Sequence, residues 1–176
     1  MTRAAAMPVP EVAMLRLDAI DLKILSVIQR EGRITKLALA ERVGLSATPC
    51  WNRLKRLESA GVVRDYRARL STAALGPMTT VFMEATLANH RQADFDRFER
   101  AVRDLPEVIG CWAVGGGLDY LLLVATRDID AYQRLVDELL AREIGIQRYF
   151  TYVVTKAVKD ALELPVERLA TFLPPP

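Results

Sequence analysis

One short run of the chain carries side chains suited to reading nucleic acid: Ser46, Thr48, Trp51, Asn52, Arg53, Lys55 and Arg56. An amide such as Asn52 can bond adenine at two points, and a guanidinium such as Arg53 can do the same to guanine. Lysine, arginine and serine can hold phosphates. This chemistry needs a rigid rod to present it, and residues 46–61 read as a helix with both ends marked. Ser46 is an N-cap by type. Pro49 falls in the first turn, where no intrahelical N–H bond is lost. Gly61 suits a left-handed stop. Cys50, Leu54 and Leu57 recur at i, i+4 and i+7 and form one buried stripe, leaving the polar types on the other faces. Taken alone, this pattern fits an ordinary amphipathic helix with a solvated basic face as well as a helix for a DNA major groove. Ser46 stays open between a phosphate contact and a plain cap. Trp51 stays open between a base contact and packing on the preceding helix.

The preceding segment shifts the balance. Residues 17–30 space Leu17, Ile20, Ile24, Leu25 and Ile28 as a helix, with Asp18 as its cap and Asp21, Lys23 and Arg30 between the apolar positions. Glu31-Gly32-Arg33 stops it. Thr35 caps a shorter helix over residues 35–43, and Gly44-Leu45 makes a tight connection to the basic helix. Two helices, a glycine turn and a basic third helix make a helix-turn-helix. Residues 62–70 are expected to form a short β-ribbon, a wing that carries Arg64, Arg67 and Arg69 to the DNA backbone. Residues 17–70 therefore read as a winged helix-turn-helix domain whose partner is double-stranded DNA.

Composition agrees with a local rather than global phosphate-binding surface. The net charge of the 176 residues is only +2, so the cations gathered at residues 53–69 leave the rest near neutral. The two cysteines, Cys50 and Cys111, are expected as reduced core residues in a cytoplasmic protein. With no CxxC and His90 as the single histidine, no metal site is expected. Residues 1–16 read as a leader with no signal-peptide pattern, and no run is long enough to span a membrane.

Beyond a linker at residues 71–78, broken by Gly76-Pro77, the periodicity changes. Strands are expected at residues 79–88, 108–114, 119–126 and 146–158, and helices at 92–105 and 130–142. The order β-α-β-β-α-β is that of a ferredoxin-like domain over residues 79–160, with a tail at 161–176. The overall class is α+β. The sheet face that the helices leave uncovered is apolar and is expected to pair with a second subunit.

The runs Leu17-Asp18-Ala19-Ile20-Asp21-Leu22, Leu39-Ala40-Glu41-Arg42-Val43-Gly44-Leu45-Ser46 and Thr48-Pro49-Cys50-Trp51-Asn52-Arg53-Leu54 resemble the winged-helix domain of the Lrp/AsnC transcription regulators. The turn Gly116-Gly117-Leu118-Asp119-Tyr120 is similar to the glycine–acidic–x–Asp–Tyr turn of that family's effector domain, and the likeness spans residues 17–159. The resemblance implies a sequence-specific regulator that senses an amino acid or related metabolite, built as a homodimer that assembles to tetramers or octamers. It implies DNA contacts from Ser46, Thr48, Pro49, Trp51, Asn52, Arg53, Lys55, Arg56, Arg64, Arg67 and Arg69. It places the effector between dimers, at Gly115, Gly116, Asp119, Tyr120 and Thr151, with Asp119 accepting an ammonium group or serving only as a turn residue. Gly117 stands where the family often has an acid, and Leu123 where it often has a cation. Both departures make the expected pocket less charged.

Two other functions are weaker. The ferredoxin-like fold hosts enzymes, but the sequence offers no nucleophile–base pair, phosphate loop or metal cluster, so neither catalysis nor a cofactor is expected. A DNA organiser without effector or sequence choice would share the same basic helix.

Overall fold

The structure is a computed structural model that describes residues 15–159 and 163–169. It divides into two units: Met1–Arg69 with Ala161–Pro176, and Leu70–Asp160.

The first unit begins at Asp18, whose carboxylate accepts from the N–H groups of Ile20 and Asp21. The Asp21 carboxylate accepts in return from the Asp18 N–H, a reciprocal box that fixes the start of α1 (Ala19–Ile28). The Thr35 hydroxyl accepts from the Ala38 N–H and starts α2 (Lys36–Val43), which ends at left-handed Gly44, φ 76°. Then comes α3 (Ala47–Ser59), whose expected buried stripe of Cys50, Leu54 and Leu57 is in place. The stripe joins Ile24, Ile28, Leu39 and Ala40 in one core. Gly61, at φ 71°, ends α3 with the left-handed residue that position favours.

The β-ribbon expected over residues 62–70 is not formed. Residues 62–70 contain no strand. After Gly61 this segment has no glycine or asparagine to fold it back into a two-stranded ribbon. Side chains fix it instead: the Tyr66 hydroxyl donates to Glu58, and Arg67 pairs with Asp65. Arg64, Arg67 and Arg69 are all exposed.

The second unit opens with a single turn, α4 (Thr72–Leu75), inside the expected linker. The expected alternation follows: β1 (Thr79–Leu87), α5 (Gln92–Arg103), β2 (Val108–Ala113), β3 (Tyr120–Thr126), α6 (Ile129–Ala141) and β4 (Ile146–Val153). The four strands form one antiparallel sheet in the order β2-β3-β1-β4. Val81, Met83, Ala85, Leu87, Leu122 and Val124 point to one face and pack on Phe98, Val102, Leu135, Val136 and Leu139 of the helices. β4 stops at Val153 rather than at 158, because its partner β1 begins at Thr79 and the last bond joins Val154 N–H to the Thr80 carbonyl. Cys111 is exposed rather than in the core, since β2 is an edge strand that α5 covers incompletely.

Of the residues expected as a tail, Glu163 and Leu164 contact the C-terminal end of α1. Gln29 of α1 exchanges two hydrogen bonds with the Leu164 backbone, and Arg30 pairs with Glu163. A last turn, α7 (Val166–Leu169), follows.

Candidate functional site

On α3 the exposed residues Thr48, Asn52 and Lys55 are spaced four and three apart and therefore lie in line. Ser46 and Pro49 are exposed at its start. Ser46 holds the N-cap position but makes no capping bond with its side chain. An exposed helix start whose N-cap hydroxyl makes no capping bond suits a phosphate oxygen. Trp51 is half-buried and packs on the core of the unit. The Lys36 ammonium lies 3.4 Å from the centre of its ring and that of Lys55 5.3 Å. Trp51 thus packs against the second helix and gathers two cations at the helix surface by attraction to its ring. Lys36 was not among the expected contacts. Its position directly after the Thr35 cap was the available sign.

Arg53 does not point outwards as expected. Its Nη1 lies 2.6 Å from Asp18 and 2.9 Å from Asp21, and Arg56 reaches the other Asp21 oxygen at 2.5 Å. Asp21 has no solvent exposure, while Arg53 and Arg56 side chains are 29% and 46% exposed. One buried carboxylate therefore ties two arginines of α3 to the start of α1. Burial alone would raise the Asp18 carboxyl, but the Asp21 N–H and the Arg53 guanidinium outweigh it and hold it below the ordinary range. Asp18 and Asp21 in turn hold the Arg53 guanidinium firmly protonated. The guanidinium expected to read guanine is paired to the start of α1 here, while Thr48 and Asn52 stand exposed on the helix.

In the second unit the expected effector residues do not converge. The Asp119 carboxylate accepts from the Leu87 N–H at 2.7 Å and lies 3.0 Å from His90 Nε2. Its carbonyl accepts from the Val114 N–H across the hairpin, and its N–H donates to the Ala85 carbonyl of β1. Asp119 is thus a satisfied turn residue. Gly115 and Gly116 lie in the hairpin loop, and Gly116 adopts φ 132°, a conformation open to glycine. Tyr120 is buried, and its hydroxyl donates to Glu99 at 2.9 Å. Burial and the Glu99 charge push this phenol up, so it stays protonated. Thr151 faces α6 and bonds the Tyr132 hydroxyl at 2.8 Å. Strand β1 separates it from Tyr120, so these two face different helices.

The face of the sheet without helices carries two cross-strand rows. One runs Trp112, Leu121, Glu84, Phe150, the other Gly110, Leu123, Phe82, Tyr152. Trp112, Phe150 and Tyr152 are each about half exposed. The Trp112 ring lies over Gly110, where a Cβ would meet it at 2.5 Å. The glycine thus lets the indole lie flat on the sheet.

A helix-turn-helix with an exposed polar stripe, joined to a separate ferredoxin-like domain, defines a DNA-binding protein with an added binding module. The Lrp/AsnC ligand binding domain matches residues 80–164, and the winged helix-turn-helix DNA-binding domain matches residues 17–64. Transcriptional regulatory protein DoeX of Halomonas elongata is 51% identical, over 89% of this chain and all of its own. The leucine-responsive regulatory protein of Escherichia coli K12 is 40% identical, over 86% of this chain and 92% of its own. A transcriptional regulator of Neisseria meningitidis, solved as a complex with L-Met, superposes with a TM-score of 0.82 at 38% identity, covering 88% of this chain and 99% of that one. The chain belongs to the Lrp/AsnC family and is a transcription regulator with a DNA-binding and a ligand-binding domain.

Proposed function

We propose that the protein reads a specific DNA site with α3 and changes its occupancy when an amino acid binds the second unit. The exposed line of Thr48, Asn52 and Lys55 supports this reading most directly. Asn52 contacts bases, with adenine its best partner. Ser46, Lys55, Lys36 and the exposed arginines of residues 64–69 hold phosphates. An amino-acid effector is supported by the leucine-responsive and L-Met-bound relatives. The protein acts by binding rather than catalysis, in the cytoplasm. No helix among the described residues is long and apolar enough to cross a membrane.

Assembly is part of the same proposal. The apolar rows on the open sheet face are covered by a second copy, and dimers join into tetramers or octamers. Half-exposed Trp112, Phe150 and Tyr152 on one continuous face support the dimer, since monomers rarely leave such a patch in water.

The test is affinity for a selected DNA site against random DNA. Asn52→Ala should cost about 1–3 kcal/mol on the selected site and far less on random DNA. Equal losses on both would remove Asn52 from base reading. Equal affinity of the parent protein for both DNAs would favour an unspecific DNA organiser.

A further inference from the structure

A cleft of about 410 Å³ opens between α5 and the edge strand β2, a volume in the range of small-molecule sites. It brings together a carboxylate, a guanidinium and apolar walls. Glu99 and Arg103 stand one helical turn apart on α5 and both line the cleft. This Glu-before-Arg order usually favours an ion pair. Here the two do not pair, and among the described residues nothing else engages the Arg103 guanidinium.

Glu99 is held in place. Its Oε1 accepts from the buried Tyr120 hydroxyl at 2.9 Å, and no described donor reaches its Oε2. The Cys111 thiol lines the same cleft, and partial burial and Glu99 push it up to about 11. It is therefore a neutral group beside the carboxylate rather than a competing anion. Val102, Val108 and Ile109 supply apolar wall. Asp119, whose carboxylate is already engaged by the Leu87 N–H and by His90, offers no such free oxygen pair.

We infer that this cleft binds an α-amino acid with an apolar side chain, its ammonium on Glu99, its carboxylate on Arg103 and its side chain against Val102, Val108 and Ile109. Opposite charges separated by one turn match a zwitterion better than a plain anion or cation. A carboxylate fixed in advance by Tyr120 needs little ordering when the ligand arrives, which favours affinity. The inference rests on the proposed amino-acid response and assigns it a place in the chain.

The test uses the full-length protein and calorimetry. The standard L-amino acids are titrated one at a time, with L-methionine and L-leucine first. The tightest binder is then compared with its des-amino and decarboxylated counterparts. Glu99→Gln keeps the acceptor for Tyr120 but loses the charge. It should weaken the amino acid about tenfold or more and leave the des-amino acid nearly unchanged. Arg103→Ala should weaken the amino acid similarly and leave the decarboxylated amine nearly unchanged. Arg103 is exposed, so this variant should melt like the parent. If both variants bind the amino acid as the parent does, the cleft is not the site, although the amino-acid response stands. Equal losses on all three compounds would mean the two residues only support the fold, and would also overturn the assignment. If the parent binds no amino acid at all, the proposed response and the cleft assignment fall together.

Discussion

Replacing Asp21 by alanine should loosen the reading helix without touching it. Asp21 is fully buried and accepts from Arg53, Arg56 and the Asp18 N–H. Breaking a fully buried ion pair costs about 3–5 kcal/mol. Here both arginines are partly exposed and can rehydrate, which discounts each lost charged bond to roughly 1 kcal/mol. The lost half of the capping box adds about 0.5–1 kcal/mol. The total is about 2–3 kcal/mol. Native-state hydrogen exchange at Leu54 and Leu57 reads the opening of α3. Their protection should fall roughly 30- to 150-fold, since about 1.4 kcal/mol is one decade. Affinity should drop on specific and random DNA alike, because the whole helix loses its footing. Arg53→Ala added to Asp21→Ala should cost much less than it does in the parent, as expected for one coupled unit. Protection within about threefold of the parent would refute Asp21 as the anchor of α3.

Three more outcomes follow from the same geometry. The Asp18 carboxyl is lowered in the folded chain, so its contribution is present above its unfolded value of about 4 and is lost as pH falls. Asp18→Asn should therefore lower the melting temperature at neutral pH, and the gap should close in acid; a gap independent of pH would contradict the pairing. Lys55→Ala should weaken binding on every sequence and flatten the salt slope by about one unit, and an unchanged slope would remove Lys55 from the phosphates. Phe82→Glu puts a second carboxylate near Glu84 on the open sheet face. Light scattering should then show a monomer, and an undisturbed oligomer would place the subunit contact elsewhere.

Local signals in the sequence were reliable. Asp18, Thr35, Gly44 and Gly61 mark helix ends because capping and left-handed turns depend on the nearest few residues. The Cys50–Leu54–Leu57 stripe and the six elements of the sheet domain follow from periodicity alone. Most of what the sequence hides depends on partners distant in it. A helical wheel sets Arg53 at the edge of the stripe, three residues after Cys50 and four before Leu57, but it cannot show that Asp18 and Asp21 wait on another helix. Asp21 reads as a solvated spacer between apolar positions, although its side chain is completely buried. The Leu87 N–H and His90 that engage the Asp119 carboxylate likewise lie about thirty residues away in sequence. The β-ribbon at residues 62–70 differs for a simpler reason: arginines and apolar residues there suggest a strand, but nothing there turns the chain back to pair with it. Glu99 and Arg103 were unremarked because α5 reads as an ordinary amphipathic helix until β2 is set beside it.

The most direct test selects duplexes from a random library with the full-length protein, then titrates the winning site with and without each amino acid. The account predicts a two-fold symmetric site with half-sites spaced by whole helical turns, as a symmetric dimer of reading helices requires. It also predicts that at least one apolar amino acid shifts the affinity for that site, which needs different affinity of the ligand for the free and DNA-bound arrangements. Enrichment of no sequence above bulk DNA, or a site whose affinity ignores every amino acid, would contradict it.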